Sequence, residues 1–237
     1  MKSNNINLLL TNIKKYDIII LPNGILLNGG DTKKMNKEYY YNYQYSIARA
    51  MCAYNARMKS KHFALIDAHI LSLIKSFYDN NQDFYMTNAE IAKVMLVNES
   101  TIKRSITKLC DFGLILKEAL GNRRFDGRRI VYCKNSFIAD NNTDGFKVYA
   151  SLADKFYNHN INTNKDKFSL IDISVASLGI SFSGNNQFFY MLNHTMQDLF
   201  LVSQPIISKS IKLLEKYGVA KVTRPTKSLR SIIFEAQ

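Results

Sequence analysis

The sequence predicts an α+β fold made of two tandem copies of one small unit, and three observations lead to that prediction. Sliding the chain against itself by 105 residues gives an ungapped match, with 22 identities in the 56 positions from Phe63 to Glu118. Each copy combines apolar residues at helical spacing with two short apolar runs typical of strands. Inside each copy the net charge changes from −1 in the front half to +5 in the back half. Self-similarity at one fixed period indicates a repeated structural unit, so we predict an internal duplication.

The match also sets the predicted domain boundaries. Residues 61–134 form the first copy and residues 165–237 the second, and a unit of that length can bury a small core of its own. Residues 135–164 form a connector with a helix at about 147–158. That helix could fix the two copies relative to each other or pair two protomers.

Residues 1–60 form a basic N-terminal extension that consists of a β-hairpin and a helix. Two apolar runs flank Asn23-Gly24, which is a hairpin signal. Five tyrosines lie between Tyr39 and Tyr45 and lead into a helix predicted at about 44–58. These tyrosines could contact a nucleic acid, but packing between domains is the favoured interpretation.

The first copy begins with an amphipathic helix predicted over residues 64–78. Thr87 and Glu90 have the spacing of a capping box, which opens a short helix at 88–95. After a tight turn, Asn98 or Ser100 caps a second helix at about 99–111. Two short helices joined by such a turn form a helix-turn-helix.

Two β-strands follow this motif and complete the unit. Gly113 is placed to end the second helix. Leu114-Ile115-Leu116 and Ile130-Val131-Tyr132 then read as strands, with a glycine-bounded loop between them that carries four arginines. A hairpin of this kind after a helix-turn-helix is a wing, so each copy is predicted to be a winged helix-turn-helix domain.

The outward face of the second helix and the wing supply the candidate binding residues of the first copy. The helix presents polar and basic side chains on that face: Ser100, Thr101, Lys103, Arg104, Thr107 and Lys108. The arginines of the wing are Arg123, Arg124, Arg128 and Arg129.

The second copy repeats the order of elements but differs in its chemistry. Its turn is Leu201-Val202-Ser203, with Ser203 as the predicted cap and Pro205 in the first helical turn. Ile206 is predicted to be exposed where the first copy has Thr101. The candidate binding residues are Gln204, Ser208, Lys209 and Lys212 on the helix, and Arg224, Lys227 and Arg230 on a shorter wing.

The segment from Met86 to Ile115, MTNAEIAKVMLVNESTIKRSITKLCDFGLI, resembles the winged-helix domains of phage and plasmid replication proteins and of bacterial regulators. Those domains share a polar cap, a short helix, a turn and a basic helix that ends in L-x-x-x-G-L-I. Leu109, Gly113, Leu114 and Ile115 carry that ending here. Two winged helices in one chain are also similar to plasmid replication initiators, so the resemblance implies DNA binding.

The chemistry of these residues agrees with double-stranded DNA as the expected partner. The net charge of +13 favours a polyanion. Ser100 and Thr101 suit base contacts, and Arg104 could pair with guanine through two hydrogen bonds. Lys103 and Lys108 are predicted to grip phosphates, while the wing arginines suit the minor groove or its flanking phosphates.

Several classes of protein are not expected. The sequence holds no phosphate-binding loop, no zinc-protease motif and no paired histidines, so neither an enzyme nor a cofactor is predicted. His69 lies on the buried side of a helix and is predicted to be a core residue whose hydrogen bonds are satisfied. Three widely spaced cysteines indicate neither a disulfide framework nor a metal site, and they fit a reducing cytoplasm. No apolar stretch is long enough to span a membrane.

The sequence supports three functional hypotheses. The leading one is site-specific duplex binding in replication initiation, or related DNA maintenance, on a plasmid, phage or other mobile element. The second is a transcriptional regulator. The third is a partition adaptor or inhibitor that uses the fold for protein contacts, starting at the exposed Ile206. Under each hypothesis the partners could include a second copy of the chain, in a homodimer, and the replication or transcription machinery.

Overall fold

The computed structural model describes residues 40–59, 62–119, 128–134, 137–138, 144–183, 193–223 and 231–234. The hairpin predicted around Asn23-Gly24 lies outside the described residues. Within them the chain is a mixed α+β protein. Its elements in chain order are β1 (Tyr40–Gln44), α1 (Tyr45–Met58), α2 (Leu65–Asp79), α3 (Asn88–Met95), α4 (Glu99–Asp111), β2 (Ile115–Ala119), β3 (Arg128–Tyr132), β4 (Gly145–Tyr149), α5 (Ala150–Asn162), α6 (Leu170–Ser183), α7 (Asn193–Phe200), α8 (Gln204–Lys216), β5 (Ala220–Thr223) and β6 (Ser231–Phe234).

Local side-chain chemistry explains where α3 and α4 begin and end. The Thr87 hydroxyl accepts the Glu90 N–H at 3.2 Å, and the Thr87 N–H donates to the Glu90 carboxylate at 2.6 Å, which is the predicted capping box. Asn98 caps α4 by accepting the Thr101 N–H at 2.9 Å. Gly113 follows α4 with a φ of +66°, a backbone conformation that glycine adopts without steric cost. The predictions for both helices are confirmed.

The small sheet of the first half packs against the helices. Strands β2 and β3 pair antiparallel, with Ile115 opposite Tyr132. The Ile130 N–H donates to the Phe84 carbonyl at 3.0 Å, and this bridge joins the run before α3 to the edge of the hairpin. The Phe84 ring meets the Phe77 ring of α2 edge-on at 5.0 Å. The hairpin is therefore fixed to α2 through buried aromatic contacts.

The order of elements recurs in the second half of the chain. Helices α6, α7 and α8, followed by strands β5 and β6, repeat the sequence α2, α3, α4, β2 and β3. The short helices α3 and α7 start and end 105 residues apart, and so do the first residues of α4 and α8. The residue that follows each short helix has a left-handed backbone, with a φ of 51° at Leu96 and 55° at Leu201.

The prediction of a helix over residues 147–149 was wrong, whereas the packing role predicted for the tyrosines before α1 is confirmed, because the Tyr43 hydroxyl donates to the Leu199 carbonyl at 2.7 Å. Residues 147–149 belong to strand β4, and the connector helix α5 starts only at Ala150. The tyrosines before α1 form strand β1, in which Tyr41 and Tyr43 are buried while Asn42 between them is exposed. The two strands pair with each other in an antiparallel sheet. Because β1 packs on α2 and β4 packs on α6, the pairing of these two strands fixes the two halves relative to each other.

This central sheet is symmetric about one pair of residues. Asn42 faces Lys147, which is the residue 105 positions further along the chain. Two residue pairs of the sheet lie on each side of this central pair. The helices that follow the two strands pack crosswise, so that α1 lies against α7 and α5 lies against α3. The two halves are therefore related by an approximate two-fold axis through the centre of the β1–β4 pair.

A buried histidine links the halves close to this axis. The side chain of His69 is fully buried, and its Nε2 lies 2.7 Å from the hydroxyl of Ser174, the residue 105 positions later. Its Nδ1 lies 2.6 Å from the Tyr41 hydroxyl. Because the Ser174 hydroxyl donates to the Leu170 carbonyl at 2.7 Å, Nε2–H is the donor to Ser174 and Nδ1 accepts from Tyr41. His69 is thus the satisfied core residue that the sequence predicts.

Candidate nucleic-acid interface

Helices α3 and α4 and the turn between them form the candidate interface. The turn comprises Leu96, Val97 and Asn98, and the buried stripe of α4 packs onto α2 and α3. That stripe consists of Ile102, Ser105, Ile106 and Leu109. The opposite face of α4 is therefore turned towards solvent, which is the geometry by which such a helix can enter a DNA major groove.

Asn98 organises the N-terminal turn of α4. Its side-chain oxygen accepts hydrogen bonds from the hydroxyls of Ser100 and Thr101, each at 2.7 Å, in addition to the capping N–H. The two hydroxyl groups that the sequence assigns to base contacts are therefore held in place as donors to Asn98. Their oxygens still have lone pairs, which suit hydrogen-bond donors on base edges.

Three further predicted residues lie exposed on the outer face of α4: Lys103, Arg104 and Thr107. The Arg104 guanidinium lies back along the helix, with Nε at 3.4 Å from the Ser100 carbonyl and Nη2 at 3.5 Å from the Thr101 hydroxyl. These contacts are long, so the guanidinium can leave them for a stronger partner at little cost. Arg104 is placed to extend from the second turn of the helix.

Lys108 has a partner in α2 that the sequence does not predict. Its ammonium group lies 2.7 Å from the carboxylate of Asp67, which is fully buried. The same carboxylate accepts the Ser105 hydroxyl at 2.5 Å and the Ala64 N–H at 2.8 Å. Lys108 is therefore engaged in tying α4 to α2, and to grip a phosphate, as predicted from the sequence, it would first have to leave this carboxylate.

The described arginines of the wing are also engaged within the protein. Arg128 is half-buried and donates to the side-chain oxygen of Asn88 at 2.5 Å, and burial lowers the pKa of its guanidinium. Arg129 pairs with Asp83 at 2.8 Å and with Glu118 at 3.6 Å. Both arginines fasten the base of the hairpin. The other two predicted wing arginines, Arg123 and Arg124, lie outside the described residues.

The second half offers a different surface at the equivalent place. Gln204, Lys209 and Lys212 are exposed on α8, while Ser208 is half-buried and its hydroxyl accepts from the Asn193 amide at 3.1 Å. The predicted cap, Ser203, stands at the N-cap position, but its side chain makes no capping hydrogen bond. The predicted contacts Arg224, Lys227 and Arg230 belong to a stretch that the structure does not describe.

The described part of the chain offers no metal site and no membrane span. It contains no group of three or more histidine, cysteine, aspartate or glutamate side chains that could hold a metal ion. Among its helices none is long and apolar enough to cross a membrane.

Comparison with known proteins identifies one part of this architecture. A family model described as a helix-turn-helix domain matches residues 67–115, which run from the first turn of α2 to the start of β2. No curated protein and no solved structure matches the chain. The match supports a helix-turn-helix domain at residues 67–115, and such a domain suggests DNA as the partner. The sequence prediction of such a motif in this segment is confirmed.

Proposed function

We propose that this chain is a site-specific double-stranded-DNA-binding protein with two tandem winged helix-turn-helix domains, at residues 61–134 and 165–237. The observation that carries the proposal is the outer face of α4, where Ser100, Thr101 and Arg104 stand exposed or half-exposed on a helix backed by a helix-turn-helix core. No catalytic step is part of this function, and no cofactor is required for it.

The repeated architecture supports two DNA-reading helices in one chain. The same pair of hydrogen bonds ties α1 to the residues before α2 and ties α5 to the residues before α6. In one half the Asn55 side chain donates to the Phe63 carbonyl at 2.8 Å and accepts the Phe63 N–H at 2.9 Å. In the other half the Asn160 side chain donates to the Phe168 carbonyl at 2.6 Å and accepts the Phe168 N–H at 2.7 Å. Such agreement in detail supports a duplication in which α8 takes the place of α4.

The approximate two-fold axis supports a particular arrangement of the DNA site. Helices related by a two-fold axis meet the duplex in opposite directions, as they do in dimeric helix-turn-helix proteins that bind palindromes. A chain that carries both helices would then read two half-sites in inverted orientation. Joining two readers in one chain also raises affinity through effective concentration.

Among biological roles we propose replication initiation, or related DNA maintenance, on a plasmid, phage or other mobile element. The tandem arrangement and the resemblance of the Met86–Ile115 segment to replication proteins support it. Selection of genomic fragments on the protein, followed by footprinting, tests it. Repeated sites inside an AT-rich origin would support this role, whereas a single site over a promoter would make the protein a transcriptional regulator.

Salt dependence tests the DNA-binding proposal itself. If about eight phosphates are neutralised, the logarithm of the binding constant should fall with the logarithm of salt concentration with a slope on the order of −7. Titrations of selected and random duplexes at two salt concentrations measure it. Binding to neither duplex would refute the proposal and would leave the fold as a scaffold for protein contacts.

Arg104→Ala should weaken binding to the selected site by about 1–3 kcal/mol and relax the preference at one base pair. The reason is that its guanidinium extends from the exposed face of the second turn of α4, where it can pair with the O6 and N7 atoms of guanine. Binding measurements on all four base substitutions at each position check this. Lys103→Ala is the matched control, since a phosphate contact should weaken binding to all sequences alike. An Arg104→Ala variant that behaves like this control would contradict base reading by Arg104.

A further inference from the structure

The N-terminal turn of α8 carries a large apolar side chain in an unusual place. Ile206 is 44% exposed, although the other isoleucines of this helix, Ile207 and Ile211, are buried in the core. Its own backbone is fixed by the start of the helix, because its N–H donates to the Ser203 carbonyl at 3.0 Å. The exposed position is therefore a consequence of helix geometry and not of a loose segment.

The exposed side chains that follow Ile206 along α8 are charged, and most of them are basic. Lys209 lies one turn further along the same face, and Lys212 follows it, both exposed. The next exposed large apolar side chain after Ile206 along the described chain is Tyr217, about three helical turns further on. A protein-docking surface is a contiguous apolar patch, and a lone isoleucine among lysines does not form one. A basic face with one apolar contact point fits a polyanion that presents a single small apolar group.

The equivalent position in α4 has the opposite chemistry. Thr101 stands there, and its hydroxyl donates to the cap residue Asn98 at 2.7 Å. At α8 the cap is Ser203, whose side chain makes no capping hydrogen bond, and Pro205 precedes the isoleucine. The first turn of α4 is therefore organised around polar contacts, while the first turn of α8 offers a stiff hydrocarbon surface.

On this basis, and resting on the DNA-binding function proposed above, we propose that Ile206 reads the 5-methyl group of a thymine in the half-site that α8 contacts. That methyl is the apolar feature that a base pair presents in the major groove, where it marks thymine among the four bases. Because α4 carries a threonine and Arg104 where α8 carries Ile206 and Lys209, the two half-sites differ in sequence. The target is an imperfect inverted repeat with its thymine contact on one side.

Replacing each thymine of the selected site, one at a time, by 2′-deoxyuridine removes one methyl group and changes nothing else on the base. The wild-type protein should lose about fourfold in affinity at one thymine in the α8 half-site, which is the value of one buried methyl. Ile206→Ala should bind the unmodified site several-fold more weakly, and it should be indifferent to deoxyuridine at that thymine. Because Ile206 is exposed, the variant should unfold at the same urea concentration as the wild type.

Thr101→Ala is the matched control in the other half, and it should keep the full sensitivity to deoxyuridine at the same thymine. Site-specific binding that tolerates deoxyuridine everywhere would overturn the proposal while leaving the DNA-binding function intact. Unchanged affinity of Ile206→Ala for the unmodified site would overturn it as well and would point to Ile206 as a protein contact. Failure of the wild type to bind any duplex would instead remove the proposed function on which this inference rests.

Discussion

Lowering the pH from 7 to 4 should reduce the free energy of unfolding by roughly 3 kcal/mol through His69 alone. Burial lowers the pKa of its imidazole from 6.5 to about 3 in the folded protein. Between these two values the unfolded chain binds a proton that the folded chain does not bind. Stability therefore falls as the pH drops below 6.5, and it stops falling through this residue only near pH 3.

The physical reason lies in the hydrogen bonds of the ring. Nδ1 accepts the Tyr41 hydroxyl at 2.6 Å, and Nε2–H donates to Ser174 at 2.7 Å, so both nitrogens are satisfied in the neutral form. A protonated ring would place a second N–H against the Tyr41 hydroxyl, in a fully buried position where a charge is costly. Because this network joins the two halves of the chain, acid should loosen their contact.

Urea unfolding of the wild type and of His69→Gln at a series of pH values measures this effect. Glutamine is neutral and can both donate and accept, so the variant should be less stable at pH 7 but lose less stability on acidification. His194→Gln removes an exposed ring and serves as the matched control. Equal loss of stability between pH 7 and 4 in the wild type and in His69→Gln would show that another group is responsible.

The helix-turn-helix could be predicted from the sequence because its signals are local. The bounds of α3 and α4 follow from hydrogen bonds that span three residues, such as those of Thr87 and Asn98. The end of α4 follows from one glycine with a positive φ at Gly113. None of these features depends on a distant part of the chain, so a pattern within a short window contains the information.

The central sheet could not be predicted because its partners are far apart. Strand β1 shows burial at Tyr41 and Tyr43, but five residues of alternating pattern are too few to distinguish a strand from the start of a helix. Its partner β4 begins with Gly145 and runs directly into α5. In the sequence its apolar residues Phe146 and Val148 therefore cannot be distinguished from the helical pattern of the residues that follow. The pairing between them depends on tertiary structure.

The candidate site shows the same division between local and distant information. The outer face of α4 follows from helical periodicity, and Lys103, Arg104 and Thr107 are exposed as that periodicity requires. Whether a cation on such a face is available for DNA depends on its neighbours in space. Lys108 and Arg129 illustrate this, because their carboxylate partners Asp67 and Asp83 lie 41 and 46 positions earlier in the chain.

Asp67→Ala should lower the free energy of unfolding by about 3 kcal/mol, which is at the lower end of the range for breaking a buried ion pair. The carboxylate is fully buried and accepts from Ala64, Ser105 and Lys108. Its removal leaves the Ser105 hydroxyl buried without this acceptor. The cost stays at the lower end because Lys108 is one-third exposed and can turn its ammonium group to solvent.

Asp172→Ala separates this ion pair from ordinary helix capping, since Asp172 occupies the equivalent position in α6. Its carboxylate accepts from the Ser169 N–H at 2.8 Å and from the Ser169 hydroxyl at 2.7 Å, both within its own N-terminal turn. Its loss should cost only about 1 kcal/mol, the value of a capping interaction. Urea unfolding of both variants gives the comparison, and equal losses would mean that the contacts of Asp67 with Ser105 and Lys108 contribute nothing. A larger loss of stability for Asp67→Ala is expected because Asp67 fixes α4 to α2 through both Ser105 and Lys108.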